Sequence, residues 1–188
     1  MNQPAIAITG AGVITALGDD LQTVMECLRE GQRARPRNDA LSAVLPHFDA
    51  ASYASVRGMR AYSRSTQLGI AATALAMADA KLDEESVAPE RLGIVMASTY
   101  GHLDTLLEYD FGLITRGMER TNPAWMPLAI ASAPGAASAL GFRVRGASVT
   151  VSAGAASGLD AVGLASRLIA NGRLDACLVV GAFSAGDD

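Results

Sequence analysis

Histidine and cysteine are almost absent from this 188-residue chain, at two residues each. The cysteines, Cys27 and Cys177, lie far apart among apolar neighbours. That argues against a disulfide framework and offers no metal-ligand spacing; buried thiols in a reducing cytoplasm are the expectation. His47 and His102 each have an aspartate two residues on, Asp49 and Asp104. One histidine and one carboxylate do not make a metal site, and both histidines are expected on the surface or in loops. No metal and no cofactor is implied. Positive charge is also scarce. The net charge is −4 and the pI about 5.1, so phosphate is repelled on average and a nucleic-acid partner held by bulk charge is excluded. No apolar run reaches the length of a membrane span, and MNQPAIAITGAG lacks the basic start of a signal peptide. A cytoplasmic location is therefore expected.

What is present is small and apolar. Half the residues are hydrophobic although only 5% are aromatic; alanine supplies 36 and glycine 19. Mean hydropathy is +0.24. A disordered chain would be richer in charge and poorer in apolar residues. A water-borne chain this apolar and this short buries an unusual share of itself or hides a face against a partner.

The pattern along the chain reads β-α-α-β-α-α-β-α-β. Strands are expected at Ala5 to Thr9, Leu92 to Ala97, Ala147 to Ser152 and Ala176 to Val180. They are apolar and mostly lack alternation, as in a sheet covered by helices on both faces. An aspartate-capped helix is expected over Leu21 to Glu30, with Leu21, Val24, Met25 and Leu28 on one face. Arg64 to Ala80 is uncharged in its middle and should be buried on most sides. Helices are also expected at His102 to Gly117, at Leu128 to Gly141 with a weak point at Pro134-Gly135, and at Ala155 to Asn171. Residues 31–60 are polar and aperiodic, and read as an irregular surface excursion. No repeat or linker divides the chain, so residues 1–188 are expected to form one unit.

Two places could carry chemistry. Thr9-Gly10-Ala11-Gly12-Val13-Ile14-Thr15 follows the first strand, as a dinucleotide-binding turn would. The third glycine of that fingerprint falls on Thr15, and the acidic residue about 20 positions on is missing. A tight structural turn is the better reading. The second place is Thr150 to Gly158, TVSAGAASG. A strand runs into a sharp turn of small residues and then a helix, an arrangement that exposes an apex side chain near a helix N-terminus. The apex residue is Ala155. Ser152 and Ser157 are nearby hydroxyls without an evident base, and read as a strand-end and a first-turn residue.

Several segments resemble the N-terminal half of a β-ketoacyl synthase, of the thiolase-like superfamily. They are AIAITGAGVITALG, RLGIVMAST and the long stretch from NPAWMP to LVVGA, in order from about residue 5 to residue 182. The resemblance implies a mixed, mostly parallel sheet with helices on both faces. In an active ketosynthase the turn reads T-V-S-T-A-C-A-S-G, and its cysteine takes the acyl chain from a carrier protein. That cysteine falls on Ala155, and a methyl group cannot be acylated. The family's catalytic histidines belong to a second half that has no counterpart here. The resemblance therefore implies a subunit inactive alone and of the chain-length-factor type. Such a subunit pairs with a full-length ketosynthase, or with itself, in type II polyketide or fatty-acid synthesis, aryl-polyene clusters included. It meets the acyl carrier protein only indirectly. Alternatives are a truncated or inactivated synthase, or a thiolase-like acyltransferase using Ser152 or Ser157. By resemblance the pairing strand is Ala147, Ser148, Val149, Thr150, Val151 and Ser152. Phe111, Ile114, Met118, Trp125 and Met126 would line or gate an acyl tunnel. The helix after the turn would be sandwiched between two sheets, leaving one side bare in an unpartnered chain.

Overall fold

The computed structural model describes residues 5–34, 45, 48–83, 85–100 and 103–183. His47, His102, most of residues 35–47 and the tail from 184 lie outside the described residues. Among the described residues, α-helices span Leu21–Arg29 (α1), Arg64–Asp79 (α2), Leu103–Arg116 (α3), Met126–Ala129 (α4), Ala133–Gly141 (α5) and Ser157–Ala170 (α6). Strands span Leu92–Ser98 (β1), Ser148–Ser152 (β2) and Ala176–Gly181 (β3).

The sheet is organised by β1. All seven of its residues are buried, as expected of a run without alternation. It lies in the middle of the order β2-β1-β3, parallel to both neighbours. The register pairs Ile94 with Ser148 and Ser98 with Ser152 on one side, and Leu92 with Ala176 and Ala97 with Gly181 on the other. Because side chains alternate along a strand, β1 serves two cores. Leu92, Ile94 and Met96 join Leu178 and Val180, with Met77 of α2 and Ala139 of α5 packed against them. Val95 and Ala97 join Ala161 and Ala165 of α6 on the opposite face. Helices thus cover both faces, as the sequence pattern requires.

Helix α2 behaves as its uncharged middle predicts: only Ala78 and Asp79 are exposed. The Ser63 side chain caps it by accepting from the Thr66 amide. Its buried Thr73 hydroxyl donates to the Gly69 carbonyl at 2.7 Å, which satisfies a polar atom that would otherwise be costly inside. Helix α1 has the expected aspartate cap, with Asp20 accepting from the Thr23 amide at 2.8 Å. Hydrogen bonding from the Thr23 side chain, and then from its amide, holds the Asp20 carboxyl below its usual range. Of its expected apolar face, only Val24 is buried; Leu21, Met25 and Leu28 remain exposed.

Three expectations need correction. Residues Ala5 to Thr9 form no strand. Among the described residues no ladder partner pairs with this segment, and Ile8 is 83% exposed. β-Propensity without a paired neighbour does not make a strand. The segment instead leads into a turn laid on α2. The Ala11 amide donates to Asp79 at 2.9 Å, and a Cβ on Gly12 would overlap the Ala72 carbonyl. The glycines of this turn allow backbone to lie on backbone, so their role is packing.

The expected helix over Leu128 to Gly141 breaks earlier than Pro134-Gly135. Ile130 is extended, and Pro134 sits in the first turn of α5, where its missing N–H costs nothing. The described part of the 31–60 excursion is irregular, with single 3-10 turns at Ala50–Ser52 and Met59–Ala61. It nevertheless contributes core. Ala50 and Met59 bury against Ile70 and Ala137. Phe48 stacks on Tyr53 at 5.8 Å, and Arg64 lies over the Phe48 ring at 5.3 Å. The Tyr53 hydroxyl donates to Asp19 at 2.5 Å, which together with burial pushes its pKa up to about 12.

Gly12→Ala should destabilise the chain by about 1–3 kcal/mol, because neither backbone can yield easily. Gly158→Ala has open space around the new methyl and should stabilise by about 0.5–1 kcal/mol. Urea unfolding of both variants checks the contrast.

Candidate functional site

The strand, turn and helix singled out in the sequence all form. β2 ends at Ser152. Ala153 turns the chain (φ −131°, ψ 33°), and Gly154 takes φ +60°, a left-handed conformation that favours glycine. Residues Gly154–Ala156 make one 3-10 turn before α6 begins. Ala155 is exposed within this turn.

Hydroxyl groups lace the turn to the end of β1. Ser157 is only 4% exposed. Its Oγ accepts from the Ala153 amide at 2.9 Å and lies 2.7 Å from the Ser98 carbonyl and 2.6 Å from the Gly154 carbonyl. The Thr99 hydroxyl donates to the Gly154 carbonyl at 3.1 Å, and the Ser152 hydroxyl to the Thr99 carbonyl at 3.3 Å. The lacing was not read from the sequence. Its only trace there is the hydroxyl pair Ser98-Thr99 at the end of one strand and Ser152 at the end of the next. Both serines raised as nucleophiles are thus engaged with backbone. Among the described residues, their hydrogen-bond partners include no histidine or carboxylate that could serve as base.

The pairing-strand residues lie at one edge of the sheet. β2 bonds β1 on one side and no described strand on the other. Ser148, Val149 and Ser152 are exposed, while Thr150 and Val151 are half-buried. Ala147 is half-buried, and its carbonyl accepts from the Ile94 amide at 2.8 Å.

The suggested tunnel residues fall in one packed region. α3 contacts both α4 and the 3-10 turn Met118–Arg120, and α4 contacts the turn Pro123–Trp125. All five side chains are exposed, Ile114 at 84% and Met118 at 82%, with Phe111, Trp125 and Met126 also open to solvent. Leu103, Leu106 and Leu107 extend this uncovered apolar face along α3. On α6, Ala161 and Ala165 face the sheet while Leu159, 80% exposed, and Val162 face outward.

The thiols are half-buried, Cys27 beside the Leu17 carbonyl and Cys177 in β3. Burial pushes the Cys177 thiol up to about 11. Among the described residues no three metal-ligating groups cluster, and no helix is long and apolar enough to cross a membrane.

With this geometry in hand, kinship is clear. Residues 3–186 match the family model of the β-ketoacyl synthase N-terminal domain. The chain belongs to the β-ketoacyl synthase family. It is 25% identical over 194 residues to 3-oxoacyl-[acyl-carrier-protein] synthase 2 of Vibrio harveyi, covering 98% of this chain and 47% of that protein. It is 32% identical over 193 residues to a Streptomyces halstedii protein provisionally named polyketide beta-ketoacyl synthase 1, covering 92% and 44%. The chain therefore spans about half the length of the curated relatives it matches. Its fold is shared with the ishigamide ketosynthase/chain length factor (TM-score 0.76, 22% identity, covering 89% of this chain and 44% of that one). A ketosynthase in complex with its chain length factor from Xenorhabdus doucetiae is also similar in fold (TM-score 0.62, 16% identity, 88% and 62%).

The raised Cys177 pKa has two measurable consequences. At pH 8 its alkylation should be at least about tenfold slower than that of an ordinary thiol of pKa near 8.5, read by peptide mass. A thiol with a raised folded-state pKa stabilises the fold below the unfolded pKa and loses that contribution as pH rises toward about 11. Cys177→Ser should flatten the fall in stability above pH 9.

Proposed function

We propose that this chain is a non-catalytic, chain-length-factor-type subunit that pairs with a ketosynthase in polyketide or fatty-acid synthesis, aryl-polyene-type synthesis included. The observation that carries this reading is Ala155. The strand, turn and helix that by resemblance would carry the family's nucleophile are formed, and the exposed residue of the turn has only a methyl group. No thioester can form there.

The uncovered surface supports a partner. Leu107, Phe111 and Ile114 of α3 and Leu159 of α6 stand open to solvent. At about 25 cal/mol per Å², each few hundred Å² of apolar surface covered is worth several kcal/mol, comparable to the whole stability of a domain. The free edge of β2 offers main-chain pairing for a second strand. In this reading Ala147 to Ser152 form the pairing strand. Phe111, Ile114, Met118, Trp125 and Met126 present apolar wall to an acyl chain, and the carrier protein is met through the partner. Residues 1–188 act as one half-domain of a cytoplasmic assembly. The fold neighbours include a ketosynthase/chain length factor and a ketosynthase in complex with its chain length factor, which accords with such pairing.

Tagged chain co-expressed with a ketosynthase encoded beside it should co-purify at one-to-one stoichiometry; a strict monomer in that experiment overturns the reading. Val149→Lys places a charge on the outer edge of β2. It should abolish co-purification while changing the stability of the isolated chain by less than about 1 kcal/mol. Incubation with acyl thioesters should leave the intact mass unchanged, and an adduct on Ser152 or Ser157 would favour the acyltransferase instead.

A further inference from the structure

A serine at the start of a helix ordinarily caps forward, accepting from amides of the first turn. Ser157 does the reverse. α6 begins without a side-chain cap, and the Ser157 hydroxyl faces back, onto Ala153 and Gly154 of the preceding turn and the Ser98 carbonyl at the end of β1. A hydroxyl has one hydrogen to give, and two carbonyls stand within reach. The Gly154 carbonyl already receives the Thr99 hydroxyl. Donation from Ser157 to the Ser98 carbonyl therefore gives each of the two carbonyls a hydroxyl donor. The Ala153 amide, in turn, has its acceptor in Ser157 Oγ.

We propose that Ser157 is a positioning residue: a clasp that ties the 153–156 turn to the end of β1 and so fixes position 155 in front of the uncapped α6 N-terminus, whatever side chain it bears. The helix dipole at the α6 N-terminus then favours negative charge at 155. Without the clasp, the Ala153 amide loses its acceptor, and the side-chain ties from the turn to the end of β1 are left to the exposed Thr99 and Ser152 hydroxyls. The clasp is a property of the isolated chain. It stands or falls independently of pairing with a ketosynthase.

A reporter thiol tests it. Ala155→Cys in the full chain is alkylated with iodoacetamide across a pH series and followed by peptide mass, with Cys27 and Cys177 as internal references. The midpoint at 155 should lie about one unit below the ordinary thiol value of about 8.5. Adding Ser157→Ala should raise the midpoint by half a unit or more and slow alkylation at pH 7 several-fold; Ser157→Thr, which keeps the hydroxyl, should restore both. A shift smaller than half a unit in the folded Ser157→Ala variant overturns the proposal. If circular dichroism shows that variant unfolded, Thr99→Val in the Ala155→Cys chain provides the second test. It removes the partner that leaves Ser157 free for Ser98, and should slow alkylation at pH 7 at least twofold. An unchanged rate overturns the clasp.

Discussion

The burial of β1 on both faces is the constraint on which the rest of the structure depends. A strand with no solvent-facing side needs a neighbour on each edge and a helix layer above and below. β2 and β3 supply the edges; α2 and α5 cover one face and α6 the other. The parallel register then places the ends of β1 and β2 side by side, Ser98 opposite Ser152. That adjacency is what lets hydroxyls from two strand ends meet in one turn. At the opposite end of β1, Arg91 grips Asp175 and the Gly172 and Arg173 carbonyls. The pair is exposed, so its charge contributes little. Its hydrogen bonds instead fix how β3 enters beside β1.

Much of this was legible because apolar periodicity and small-residue runs report burial directly. LGIVMA reads as a strand covered on both faces, and the uncharged middle of α2 reads as a buried helix; both are so. Local pattern fails where a partner segment decides the outcome. Ala5 to Thr9 has the composition of a strand, yet strandhood belongs to a pair, and no described strand pairs with it. The same limit explains α1. Its apolar face is correctly placed by spacing, but spacing cannot say whether anything covers it. At the turn, the path and the exposed Ala155 were visible in TVSAGAASG. The clasp was not, because a backward-facing hydroxyl at a first helical position has no spacing signature.

The molecule is thus uneven in how its surfaces are finished. Around β1 the packing is closed, down to helix α2 meeting glycine backbone at Gly12. Along α1, α3 and the outer side of α6, leucine, isoleucine and phenylalanine stand in solvent. Scattered exposure of single apolar residues is ordinary; continuous exposure along three amphipathic helices is not. The fold has a finished interior and unfinished faces, and the proposed partner is what would finish them.

The outer edge of β2 shows what incompleteness entails. Sheet proteins usually guard an open edge with lysine, proline or a bulge. Ser-Val-Thr-Val-Ser has no charge and no proline, so nothing on it turns an approaching strand away. Under the proposed pairing, molecules made in excess of the partner present this edge to one another, and the balance in which the two chains are supplied becomes part of how the fold survives.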